Sequence, residues 1–361
     1  MTMMPNQANG VPAGSFVGRS FVNPGFDYMI VGGGLSLLAT VAIVLTTGKW
    51  SSPAVLAFLI LFSNSAHFGA STVRLYTKRG AFDSLPFLTM VLPLVTLVLL
   101  TVVVWQAASL GPHLQSLYLT WSPYHYAAQA YGIAVVYSYR SGCRLAPSDK
   151  KLLWWVAMLP FFYNFLSAKR VGLDWLAPAA FMADPAVIEG LKVLSALLTV
   201  TAFLAPILLY VHVWRGKSGP MPFISILALV SNGVWWFVLS SLDAFVWATV
   251  FHGLQYLALV MVFHVRDRAR DLGTAGDARG PVFQGLWFYG ASLLLGYALF
   301  QCLPLGYTFA GLGLVESTLL VAATVNVHHF IVDAYIWRLG EQDTNRRVVE
   351  ERFGPGIEAI A

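Results

Sequence analysis

Ten apolar stretches, each close to the length of a membrane-crossing helix, constrain this chain more than any other feature. They cover 26–46, 53–73, 84–109, 114–138, 151–168, 188–213, 221–240, 243–264, 282–303 and 308–337. An α-helix rises about 1.5 Å per residue, so roughly 20 apolar residues cross the hydrocarbon core of a bilayer. Backbone amides find no water there, so each stretch must satisfy its own hydrogen bonds as a helix. The expected fold class is therefore an all-α integral membrane protein, a bundle of about ten transmembrane helices. Composition agrees: 57% of the 361 residues are hydrophobic and 11% charged, against about 25% charged in soluble domains. Residues 26–338 read as a single polytopic membrane domain. Residues 1–25 read as a flexible, solvent-exposed tail without the pattern of a signal peptide, and 339–361 as a polar tail.

The basic residues set the expected orientation, because cytoplasmic loops collect Lys and Arg. With ten crossings, one side holds Arg19, then Arg74, Lys78 and Arg79, then Arg140, Arg144, Lys150 and Lys151. The same side takes Arg215 and Lys217, then Arg266, Arg268, Arg270 and Arg279, then Arg338, Arg346, Arg347 and Arg352. The other side holds Lys49, Lys169, Arg170 and Lys192. Eighteen against four places both termini in the cytoplasm, and a missed helix would scramble the split. The expected location is a bacterial inner (cytoplasmic) membrane. The net charge of +5 reads as this topology signal, not as a nucleic-acid surface.

Against this apolar background the sequence NVHHFIVDAYIWR, residues 326–338, stands out. Ionisable groups inside a bilayer cost several kcal/mol and are retained for a purpose. On a helix, Asn326, His329 and Asp333 are spaced i, i+3, i+7 and share a face, with His328 turned about 100° away. Three other predicted helices carry a deep histidine: His67, His125 and His252. His67 lies 7 residues before Arg74, His125 lies 15 before Arg140, His252 lies 14 before Arg266, and His329 lies 9 before Arg338. The spread is about 12 Å of depth at 1.5 Å per residue, so one site or two neighbouring sites can collect them. His113 falls at an outer helix end, and His212 and His264 fall at the inner interface.

Each deep histidine has polar company at helical spacing: Asn64 and Ser71 with His67, Ser122 and Gln129 with His125, Gln255 and Tyr256 with His252, and Asn326 with His329. Such neighbours orient a metal-bound imidazole through its other nitrogen. The expected ligand set is His67, His125, His252, His328, His329 and Asp333, supported by Asn64, Gln129, Gln255, Tyr256 and Asn326. A single histidine in a membrane helix serves equally well as a hydrogen bond between helices; repetition on four helices favours ligands. The prolines at 86, 93, 123, 160 and 206 tend to kink their helices, which would give a local opening beside His125; membrane helices equally often tolerate proline without one.

Imidazole with a carboxylate suits iron, zinc, copper or nickel, and histidine-rich sites with open positions are those of non-haem iron oxygenases. The leading expectation is a membrane metalloenzyme, an iron-dependent oxygenase, hydroxylase or desaturase. Its substrate would be lipid-soluble, and its electrons would come from a donor protein or a quinone. The chain lacks the HxxxH and HxxHH boxes of membrane desaturases and alkane hydroxylases. Its dispersed histidines, with HFG at His67, are similar in style to those of bacterial carotene-cleaving membrane dioxygenases; no family is assigned on that basis. Two alternatives stay open. One is a b-type haem protein using His125 and His252, copper being a further candidate metal. The other is a proton- or metal-coupled transporter. Cys143 and Cys302 form no disulfide framework or CxxC site. Phosphate-loop, dinucleotide and HExxH motifs are absent.

Overall fold

The computed structural model describes residues 16–46, 53–167, 172–216, 218–271, 279–337 and Val349. The expectations that rest on Lys49, Lys169, Arg170, Lys217 and Arg338, and on the tails 1–15, 339–348 and 350–361, lie outside the described residues. Every described element is helical. The chain begins with α1, a pair Pro24–Val31 and Gly34–Leu45 bent by 52°. There follow α2 (Val55–Thr77), α3 (Phe87–Trp105), α4 (Ala107–Arg140) and α5 (Pro147–Leu166). The second half contains α6 (Pro185–Arg215), α7 (Phe223–Val238), α8 (Ser241–Asp271), α9 (Gly280–Phe309) and α10 (Leu314–Ile336). Of these, α2, α3, α6, α8, α9 and α10 are long and apolar enough to cross a membrane, and α1 makes a seventh if the bent pair is one span. The chain is thus an all-α, multi-pass membrane protein in its architecture.

Burial separates centre from rim. In α8, 72% of the apolar window is buried inside the bundle, against 11% in α6. Leu197, Val200, Leu204, Ile207 and Leu208 of α6 are exposed, as lipid-facing side chains are in a bundle whose solvent on that side is hydrocarbon. α8 packs against α1, α2, α7 and α9, while α10 packs against α2, α3 and α4. The helices that carry His67, His125, His252 and His329 are α2, α4, α8 and α10.

Backbone contact fixes where α2 sits. A Cβ added at Gly69 would collide with the backbone of Ser292 on α9, and one added at Gly296 would collide with the Ser65 carbonyl on α2. Small residues let membrane helices approach this closely, where dispersion and not hydrophobic burial holds them together. Because backbone cannot yield as a flexible side chain can, Gly296→Ala is expected to cost about 1–3 kcal/mol. Thermal denaturation in detergent would register this as a lower midpoint, and an unchanged midpoint would mean that α2 and α9 separate freely.

Three local features depart from the sequence reading. Leu61–Ser65 forms a π-helical turn immediately before His67, so residue spacing there is wider than in an α-helix. Next, α4 runs unbroken through Pro112 and Pro123; the expected opening beside His125 does not form. Finally, α9 continues to Phe309, past the expected end at 303. It does so through a π-helical turn at Ala298–Cys302 that places Pro304 at the start of the next α-turn, where a missing N–H is harmless.

Residues 16–23 are docked, in contrast to the exposed tail expected over 1–25. The Phe21 side chain is buried, and the Asp27 carboxylate accepts hydrogen bonds from the Phe21 and Val22 amides at 2.5 and 3.0 Å and from Tyr137 at 2.6 Å. Arg140 donates to the Ser20 carbonyl and Arg266 to the Phe21 carbonyl. Both guanidinium groups also lie over the Phe21 ring.

Candidate metal centre

His67 from α2, His125 from α4, His252 from α8 and His329 from α10 meet in the middle of the bundle. All four side chains are buried. Each offers one ring nitrogen such that all four lie within 4.8 Å of one another. The ring centroids of His67 stand 4.3 Å from those of His329 and 4.8 Å from His252, and His125 stands 4.9 Å from His252 and 5.0 Å from His329. Most of these pairs meet edge to face, not stacked, which aims nitrogens inward.

One tautomer of His329 suits a metal. Ser71, one turn after His67 on α2, donates to the Phe68 carbonyl at 3.0 Å. Its oxygen is then able to accept from His329 Nδ1, which lies 2.9 Å away. With its proton on Nδ1, His329 presents an unprotonated Nε2 to the cluster. That Nε2 is 3.3 Å from His125 Nε2. Donor atoms held by one metal at about 2.0–2.1 Å in a tetrahedron are separated by about 3.3–3.4 Å, so this edge already has the right length. Among the described residues, neither ring nitrogen of His67 or of His252 has a hydrogen-bond partner. Leaving a buried polar atom unsatisfied costs about 1–3 kcal/mol, and an ion would engage one nitrogen of each ring. Residues of this type in this arrangement can hold a metal ion.

Asp333, one turn beyond His329, adds the only carboxylate found at the cluster among the described residues. Its Oδ2 is 3.2 Å from His329 Nε2 and 3.8 Å from His125 Nε2. It thus faces the same nitrogens that face the centre. Tyr256 donates to the other oxygen, Oδ1, at 2.8 Å, which fixes the carboxylate's rotation. Apolar rings close the surroundings: Phe330 lies 4.5 Å from the His125 ring and Phe68 lies 4.7 Å from the His329 ring, centroid to centroid. Excluding water in this way strengthens any charge interaction inside.

The other residues of the expected set are placed elsewhere. His328, included as a ligand on sequence grounds, is set apart from the four: its Nδ1 pairs with Thr96 of α3 at 2.8 Å. The 100° step between neighbouring residues on a helix turns it from the centre that His329 faces. Of the five supporting residues, Tyr256 alone bonds to a side chain of the cluster. Gln129 donates to the His252 backbone carbonyl at 3.2 Å, and Gln255 reaches the Val31 carbonyl on α1 at 3.1 Å. Asn326 donates to its own helix at Ala322, 2.7 Å away. Asn64 falls inside the π-helical turn, so the α-helical spacing that set it on the His67 face does not apply. The sequence did show Ser71 at helical spacing from His67, but not that it serves His329 on another helix.

The remaining histidines lie outside the cluster. Trp175 donates to His113 at 3.3 Å, and His212 lies 3.3 Å from the Asp149 carboxylate. His264, expected at an interface, is buried against Trp287 and Phe288. Compared with known protein families, curated proteins and solved structures, the chain matches none.

Proposed function

We propose that this chain is a membrane metalloenzyme in which His67, His125, His252 and His329 hold one iron ion. The observation that supports this is the convergence of four imidazoles, one from each of four helices, on a common point. We further propose a non-haem oxygenase, hydroxylase or desaturase that acts on a lipid-soluble molecule, with electrons supplied by a donor protein or a quinone where the reaction needs them. Four imidazoles would leave further positions on an iron ion open to oxygen or substrate, as non-haem iron oxygenases need. Iron bound there would supply oxygen activation. The protein's own part is to orient the rings through Ser71 and to offset the ion's charge with Asp333. Its aromatic walls keep water out.

A b-type haem at His125 and His252 is less well supported. Its flat macrocycle must lie between two axial rings, yet these rings are in edge-to-face contact at 4.9 Å. We propose the ten-helix topology with both termini cytoplasmic, on the eighteen-to-four distribution of basic residues. The test of function is oxygen uptake by the iron-reconstituted protein in nanodiscs, with isoprenoids, fatty acyl lipids and alkanes offered in turn. Substrate-dependent uptake is expected for one class. A metal-loaded protein silent with every class would favour transport.

The hydrogen bond from His329 to Ser71 gives a smaller prediction. Ser71→Ala removes the hydroxyl that orients the imidazole. Loss of such an orienting partner weakens metal binding by about 10–100-fold. A competition titration against a chelator would measure it, and an unaltered affinity would show that ring packing alone orients the ring.

A further inference from the structure

A second site lies where α2 and α8 end, on the side of the bundle where arginines collect. The two helix ends line a cavity of about 220 Å³. One water occupies about 30 Å³ of liquid, so the space admits a tetrahedral oxyanion with room to spare. Arg74, Lys78, Arg79, Arg268 and Arg270 line it, against two carboxylates, Asp267 and Asp271. One of those carboxylates is already engaged: Asp267 pairs with Arg74 at 3.2 Å and sits 3.9 Å from Arg270. Arg79 and Arg268 have no ion-pair partner among the described residues.

Arg74 is the floor of the cavity. It is buried, and its guanidinium lies 5.6 Å from the Phe263 ring and 5.7 Å from the Trp337 ring. Trp337 in turn meets Tyr256, the residue that holds Asp333, with centroids 5.7 Å apart. A positively charged concavity of this size exceeds what a topology signal requires, since scattered loop charges would serve that purpose. Guanidinium groups match the oxygens of phosphate in a planar, two-pronged geometry, and basic pockets between membrane helices on the cytoplasmic side bind anionic lipid headgroups.

We propose that this cavity binds a phosphate group, as a lipid headgroup or as a free phosphate. The inference is independent of the metal centre. The probes are inorganic phosphate, titrated calorimetrically into the detergent-purified full chain, and phosphatidylglycerol, whose retention is read by native mass spectrometry after release from nanodiscs, against phosphatidylcholine as the reference. Phosphate binding without lipid retention would identify a soluble phosphate, retention without phosphate binding a headgroup, and mutual displacement a site that takes both. In each case the double variant R79Q/R268Q is expected to weaken binding at least about tenfold, since it removes two of the five cations that line the cavity. Its metal content is expected to equal that of the unaltered protein. Lys78→Gln, on the same rim, gives a separate reading should the double variant lose α2–α8 packing, and is expected to weaken binding several-fold. The proposal is overturned if neither probe binds, or if binding survives in these variants.

Discussion

His329→Ala is expected to abolish stoichiometric metal while leaving the protein inserted and folded. His329 takes part in more of the cluster's contacts than any other ring. It faces His125 Nε2 at 3.3 Å, Asp333 at 3.2 Å, and Ser71 at 2.9 Å. Losing even a supporting partner costs about 10–100-fold in affinity, so losing a ligand is expected to cost more than about 100-fold. The neighbouring residue supplies the control. His328 shares sequence, depth and chemistry, but its hydrogen bond goes to Thr96; His328→Ala forfeits a bond of about 1 kcal/mol and is expected to keep full metal content. Metal analysis of the two variants side by side decides the matter. Equal loss in both would mean that α10 is merely destabilised, and full retention in His329→Ala would remove α10 as a ligand source.

The second large effect is expected at Asp333→Asn, which keeps the shape and removes the charge. A divalent ion held by neutral imidazoles carries its whole charge into an apolar interior. The single carboxylate beside it is then the main compensation. At 4 Å and an effective dielectric constant near 20, one unit pair is worth about 4 kcal/mol, or roughly three orders of magnitude in affinity. Tyr256→Phe is the milder version: it frees the Oδ1 oxygen but leaves the charge, so its effect is expected to be nearer tenfold. Chelator competition on both variants would measure the difference. If Asp333→Asn binds metal as tightly as the unaltered chain, the carboxylate is not electrostatically coupled to the centre.

The all-helical fold was legible because hydrocarbon imposes a single rule on the backbone, and ten apolar stretches near 20 residues obey it. Eight of the ten expected stretches begin and end within about six residues of a helix. The exceptions are α4, which begins at Ala107 and not at 114, and α8, which runs on to Asp271 past 264; α10 begins at Leu314 and not at 308, because the chain turns at 310–313 after the longer α9. His67, His125, His252 and His329 were legible as a set because each is an ionisable group in a place that disfavours one. Their neighbours were misread where a helical projection was trusted too far. Asn64 shared a face with His67 only if residues 61–65 were α-helical, and they are not. Gln255 shared a face with His252 but is long enough to turn toward α1. Which helix lies beside which is a tertiary fact, so the bonds from Ser71 to His329 and from Thr96 to His328 had no signal in a single sequence. The docking of Phe21 was equally hidden, because the stretch 16–23 is too short to show a period and its partners Arg140 and Arg266 lie far away in sequence.

The measurement that bears most directly on the central claim is the metal content of the detergent-purified full chain by plasma mass spectrometry, normalised to protein. The protein would be expressed with iron, copper and zinc all in ample supply. The account predicts about one iron per chain, without the intense Soret absorption of haem, and none in His329→Ala. Stoichiometric zinc or copper would keep the metal centre and contradict the iron oxygenase. No metal of any kind would contradict the centre itself and leave the four histidines as hydrogen-bonding groups between helices.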